Sequence, residues 1–290
     1  MARALSIVGV LFIASTSHAQ FTITPGGTQD SSGAIGDAGN STFTSTYIGP
    51  STVFSSFTFN GTLTSVIPAT YAAEARINFT NTTSGGGTFY FPSNQFSTFG
   101  QITISRTNGG LFWFNQNDQL KSETFESFDD GPGPDSQWTN LSMTFNNSVS
   151  ATALGSFAQG TSFTFDTGGS NFDTEIALYT ADGALVATND DFIGLQSQIN
   201  VGQLSAGNYL LVVSGYDSLF GNGFAFGGAG FGNYLLNLNG SNVSSGSTLA
   251  DQVATFSFSV GAVPEPSALA LVALVAAAGC LKCRRRKVVA

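Results

Sequence analysis

The chain has 290 residues, of which 9% are charged, against roughly 25% in an average soluble domain. Arg76, Arg106 and Lys121 are the only cations between Gln20 and Val263, where seventeen Asp and Glu leave a net charge of −14. A phosphate backbone therefore meets no basic cluster, and nucleic acid is excluded as a partner. His18, Cys280 and Cys283 all lie outside that stretch, which cannot build a Ser-His-Asp triad, a Cys–His pair, a thiolate metal site or a disulfide. With 42% hydrophobic and 12% aromatic residues, the chain still has enough apolar surface to bury a core.

In chain order, residues 1–19 carry the three parts of a secretory signal peptide. Arg3 supplies the positive charge, Leu5 to Ala14 the apolar run, and Ser17-His18-Ala19 a small-x-small cleavage site. Cleavage leaves Gln20 as the new terminus, and the exported stretch must rely on core packing or ions because it has no disulfide.

From residue 20 onward the hydrophobic period is two. Phe57-Thr-Phe59, Phe89-Tyr-Phe91, Phe112-Trp-Phe114, Phe163-Thr-Phe165 and Phe256-Ser-Phe258 each place two aromatics on one face of a strand. The best short helical pattern, Ala69 to Arg76, is unconvincing. Strands bounded by Gly, Asn and Ser turns predict an all-β chain of one or two β-sandwich, jelly-roll-like domains. Residues 20–150 read as a Ser/Thr-rich β domain without a chemical motif. The Asp129-Asp-Gly-Pro-Gly-Pro-Asp135 run reads either as a linker or as a long surface loop, because its two prolines forbid regular structure. Residues 151–245 read as a second sandwich, and 246–262 as a final strand and linker.

In that second part, Glu175 to Thr180 and Ala184 to Thr188 read as strands joined through Ala181-Asp182-Gly183, a strong hairpin signal. Tyr209-Leu-Leu-Val-Val213 is apolar on both faces and belongs in the middle of a sheet. Gly221 to Asn233, with six glycines, reads as a flexible loop, since no helix or Lys follows to make a phosphate cradle. Tyr234 to Leu238 reads as another strand. Asp173, Asp190 and Asp191 are the calcium candidates, because calcium takes six to eight oxygens and an Asn-Asp-Asp loop beside a strand-start Asp offers several. The Asp129, Asp130 and Asp135 loop is a second candidate, although Asp and Asn also favour turns without any ion. Sequons such as Asn60-Gly-Thr62 and Asn78-Phe-Thr80 leave glycosylation open.

The C-terminus has three parts: Pro264-Glu265-Pro266, an apolar run over 267–281, and a basic tail over 282–287 that includes Arg284, Arg285, Arg286 and Lys287. The run predicts a short hydrophobic helix of ~22 Å, shorter than a ~30 Å hydrocarbon core, with the cations on the cytoplasmic side. Cys280-x-x-Cys283 sits at its edge without a second pair, and no chemistry is assigned to it.

This order of residues over 263–290 resembles the PEP-CTERM sorting signal. The resemblance implies an exported protein whose tail is held transiently in the inner membrane, recognised by an exosortase-type enzyme, and removed on the way to the cell surface or matrix. Bacteria that export such proteins often make exopolysaccharide, which makes extracellular polysaccharide a candidate partner. Separately, Phe172-Asp-Thr-Glu-Ile-Ala-Leu-Tyr179, Asp182-Gly183, Asn189-Asp-Asp191 and Leu204-Ser-Ala-Gly-Asn-Tyr209 resemble bacterial pre-peptidase C-terminal-like domains over Gly155 to Gly240. That resemblance implies a non-catalytic sandwich, in a family where some members bind calcium through acidic loops.

Three functions compete at this stage. The first is a non-enzymatic, adhesive or polysaccharide-associated surface protein. The second is a self-assembling surface subunit, suited by low charge and many β edges. The third is a carboxylate-dependent glycoside hydrolase, which needs two acids roughly 5–10 Å apart, yet no acid pair is singled out. The expectation is the first, with no catalytic residue.

Overall fold

The computed structural model describes residues 20–67, 74–81, 85–89, 100–129, 131–146 and 150–261. Among these no helix occurs, and the chain folds into two face-to-face β-sandwiches. The signal-peptide residues, Pro264 to Pro266, the apolar run and the basic tail lie outside the described residues.

The first sandwich packs a seven-stranded sheet on a four-stranded one. The large sheet contains β1 (Gln20–Ile23), β2 (Gln29–Ser31), β4 (Thr52–Ser65), β7 (Gln101–Phe114) and β9 (Ser136–Asn146). The small sheet runs in the order β3 (Thr42–Thr46), β8 (Gln119–Glu126), β5 (Ala75–Asn81), β6 (Gly85–Phe89). Alternation selects the buried face of each strand. Phe57, Phe59 and Leu63 of β4 and Trp138, Leu141, Met143 and Phe145 of β9 point inward, against Ile77 and Phe79 of β5 and Leu120 of β8. The serines and threonines between them pair across the outer face, as Thr58 does with Thr107 at 2.9 Å. The aromatics meet largely edge to face, for example Phe57 on Phe79 at 5.4 Å and Phe59 on Trp138 at 5.2 Å, the geometry that ring quadrupoles favour.

The second sandwich packs a five-stranded sheet, in the order β10 (Thr152–Ala158), β20 (Ala254–Gly261), β15 (Gly207–Gly215), β12 (Thr174–Thr180), β13 (Leu185–Asn189), on a four-stranded one, in the order β14 (Gln198–Gln203), β11 (Ser162–Asp166), β18 (Gly232–Leu238), β19 (Ser241–Thr248). Phe163 and Phe165 face Leu211, Phe256 and Phe258 in its core. The Asp182-Gly183 hairpin forms as expected, with Thr180 and Ala184 closing the turn. Residues 246–261 do more than end the fold. They finish β19 and then supply β20, an interior strand paired parallel to β10 and antiparallel to β15.

β15 is buried on both faces because a third cluster lies behind it. Ala177 and Tyr179 of β12 and Val212 of β15 pack on Leu111 and Trp113 of β7. Trp113 is the pivot of this contact. Its ring lies 5.0 Å from Tyr179 and its indole N–H donates to the Ala181 carbonyl at 3.1 Å. Gly183, with φ +91°, passes so close that a Cβ there would fall 2.6 Å from the Trp113 ring.

One sequence expectation is corrected here. The glycine-rich stretch 221–233 is not a loop throughout: residues 227–231 are irregular, but its first part is strand and turn. With β16 (Leu219–Gly221) and β17 (Phe224–Phe226) it forms a hairpin that extends the large sheet of the first sandwich, β17 pairing with β7. The sheet order is therefore β1-β9-β4-β7-β17-β16, with β2 also on β9. The glycines permit close backbone crossings: a Cβ on Gly110 would lie 2.4 Å from the Ala225 carbonyl oxygen, and one on Gly215 2.1 Å from that of Gly230. Phe226 then enters the first core. The chain passes from the first sandwich to the second near residue 150 and returns once through this hairpin.

Candidate functional site

The register of the β12–β13 hairpin assembles the acidic group. Ile176 pairs with Asn189, so the residues just before β12 and just after β13 meet at the same end of the sheet. There the carboxylate oxygens of Asp173, Asp190 and Asp191 come within 4.8 Å of one another. The sequence-predicted trio is thus one cluster. Of the second candidate, Asp129 accepts from the Gly131 N–H at 3.0 Å, Asp135 is fully buried beside β2, and Asp130 lies outside the described residues.

The surrounding loops are held by backbone. The Thr174 N–H donates to the Leu195 carbonyl at 2.9 Å, and the Tyr216 N–H to that of Asp173 at 3.1 Å. Ser197 Oγ bridges the carbonyls of Thr174 and Asp190. Asp173 Oδ1 is buried and receives no hydrogen bond. Burial raises the Asp173 carboxyl above its usual range, with the charges of Asp191 and Asp190 adding to it. Burial and then Asp191 raise Asp190 in the same way.

Sequence reasoning missed a fourth acid, Glu175. It is 7% exposed, and its two oxygens accept from the backbone N–H groups of Asp217 at 2.8 Å and Ser218 at 3.1 Å. Burial, followed by the charge of Asp190, pushes it up to about 7, while the two N–H groups hold it down. The available signal was a lone carboxylate in an otherwise apolar strand, Thr174-Glu-Ile-Ala-Leu-Tyr. No Lys or Arg occurs between Lys121 and Lys282, so no side-chain cation of the second sandwich offsets these acids.

Chemically the group suits a hard cation. Two oxygens bound to one calcium at 2.3–2.6 Å are at most about 4.6–5.2 Å apart, which the 4.8 Å spacing satisfies. It suits glycoside hydrolysis less well. A general acid must present its proton to the leaving oxygen, whereas Glu175 is buried with both oxygens engaged by backbone.

A second feature is where the body ends. β20 finishes at Gly261, across the sheet from the acids, since Val260 pairs with Gly207 while Ala254 pairs with Val213. Residues 262–287 match the PEP-CTERM protein-sorting motif. The sorting motif therefore begins at the residue after the last of the described strands, and it marks the chain as an exported, envelope-associated protein recognised by an exosortase-type enzyme. The matched residues do not include Gly155 to Gly240. No curated protein matches the chain, and no solved structure does. Among the described residues, no helix is long and apolar enough to cross a membrane.

Proposed function

We propose that the chain is a non-enzymatic cell-surface or matrix protein, delivered through its sorting motif and displaying two fused β-sandwiches for adhesion to, or association with, extracellular polysaccharide. The observation that carries this reading is the direct junction between β20 and the motif at residues 261 and 262. Five residues, 262–266, can span at most ~17 Å, so within this reading the folded body rides next to the membrane until the tail is cut. Cutting anywhere beyond Gly261 leaves every described strand intact. At the other end, Gln20 is the first residue of β1, so loss of residues 1–19 also leaves the sheet whole.

The intact mass of the protein recovered from cell-surface and medium fractions tests this. The expected species lacks both Met1 to Ala19 and the residues after roughly Pro266, with any heterogeneous added mass indicating glycosylation. A species that keeps Leu269 to Ala290 and occurs only with membranes would sink the sorting-and-release reading in favour of a simple anchor.

Within this reading, Asp173, Asp190 and Asp191 hold calcium, which takes the place of the missing cation. The unpartnered Asp173 Oδ1 supports this, and the ion's part is to stabilise the loops, with no catalytic step assigned to it.

A further inference from the structure

Exposed apolar side chains are not spread evenly over this molecule. Twelve large hydrophobic residues are exposed among those described, and six of them, Phe192, Ile193, Leu195, Tyr216, Phe231 and Leu249, belong to loops at one end of the second sandwich. The loops are stitched together by backbone. Leu195 accepts from Thr174, Tyr216 donates to Asp173 and accepts from Gly230, and Asp251 donates to Gly228. Phe231 and Leu249 flank the paired residues Gly232 and Thr248, where β18 and β19 begin and end. Phe231 is 67% exposed, Tyr216 56% and Phe192 55%. Apolar side chains grouped at one sheet end, rimmed by polar residues, are the kind of exposed patch that marks an interaction site. The end also lies ~23 Å along β20 from Gly261, at about 3.3 Å per residue, so it faces away from the point where the sorting tail leaves.

We propose that this tail-distal end binds a neutral, hydroxyl-rich polysaccharide. This rests on the surface-protein reading and adds its site and ligand class. The chemistry selects the ligand. Exposed Phe and Tyr rings offer flat apolar faces that pack on the C–H face of a sugar ring, at little entropic loss for so rigid a side chain. The exposed carboxylate of Asp217, next to Tyr216 and outside the calcium trio, accepts hydrogen bonds from hydroxyls. Arg106 reaches this end from β7 but is paired with Asp251, and one calcium offsets only two of the three clustered carboxylates, so a uronate, sulfated polymer or anionic lipid surface meets a net like charge.

The test is affinity electrophoresis of the natively recovered protein in gels containing dextran, hydroxyethylcellulose, galactomannan or, as the anionic counterpart, alginate, alongside the variant Tyr216→Ala/Phe231→Ala. Both positions are exposed, so the variant is expected to melt as the parent does, and melting is measured beside binding. The expected result is retardation by at least one neutral polymer, none by alginate, and roughly tenfold or greater loss of affinity in the variant. Retardation that the folded variant retains in full overturns the site but leaves the polysaccharide-associated reading standing. Absence of retardation in every neutral gel overturns both the site and that part of the reading. Binding to polylysine or to phosphatidylglycerol vesicles, in place of the neutral gels, overturns the ligand class.

Discussion

Glu175 shows how one residue ties the acid cluster to the sheet beneath it. Its carboxyl is raised from 4.5 to about 7 in the folded state. Between those two values the folded chain holds a proton that the unfolded chain has released, so stability declines as pH rises through the window and the penalty is complete above it. Asp173 and Asp190 are raised in the same direction. In chelator, the melting temperature is therefore expected to fall between pH ~5 and ~8, by an amount equivalent to about 3 kcal/mol for Glu175. Glu175→Gln is expected to flatten this decline, whatever it does to absolute stability. Excess calcium is expected to reverse the decline, because the ion binds the deprotonated acids. Identical melting in calcium and in chelator at pH ~8 would remove calcium from the account.

Among the elements, the β16–β17 hairpin and the glycines around it do the joining. Gly215 and Gly230 cross with backbone against backbone, and a Cβ at Gly215 has nowhere to go because its nearest atoms are the carbonyl oxygen, C and Cα of Gly230. Gly215→Ala is expected to destabilise by about 1–3 kcal/mol or more, read as a lower melting temperature. Gly202→Ala in β14 meets open space and is the matched control, expected to stay within about 0.5 kcal/mol of the parent. If both variants melt alike, the crossing is not as close as described. The alternating aromatics of β4, β11 and β20 were legible in the sequence because each strand buries one face and wets the other. β17 was not legible, because three residues between glycines carry no period and its partner β7 lies more than a hundred residues earlier.

On the scale of the whole molecule, the last strand closes the second sandwich. β20 sits between β10 and β15 and contributes Phe256, Phe258 and Val260 to the core. Loss of even one buried aromatic is worth about 3–5 kcal/mol, a large share of the roughly 5–15 kcal/mol that holds a domain. A chain ending at Gly261 is expected to fold and to melt as the tail-bearing protein does. A chain ending at Gln252 is expected to lose the second sandwich and to be degraded under limited proteolysis. Equal protease resistance of the two truncations would show that β20 is dispensable. Because the final strand is interior, the sandwich closes only when the chain just ahead of the sorting motif is in place.

The residues alone determined the all-β class, the period-two strands, the hairpin at Asp182-Gly183, the sorting motif at the C-terminus and the grouping of Asp173 with Asp190 and Asp191. Each is a local pattern: alternation, a turn dipeptide, a linear motif, or a register counted outward from a tight turn. Tertiary structure decided the rest. It placed Glu175 beneath the trio, carried residues 219–226 back to the first sandwich, set Trp113 between the two bodies, and gathered Phe192, Tyr216, Phe231 and Leu249 at the end opposite the tail. Those placements depend on pairings between residues far apart in the chain, and a side chain's chemistry says nothing about which distant strand it will meet.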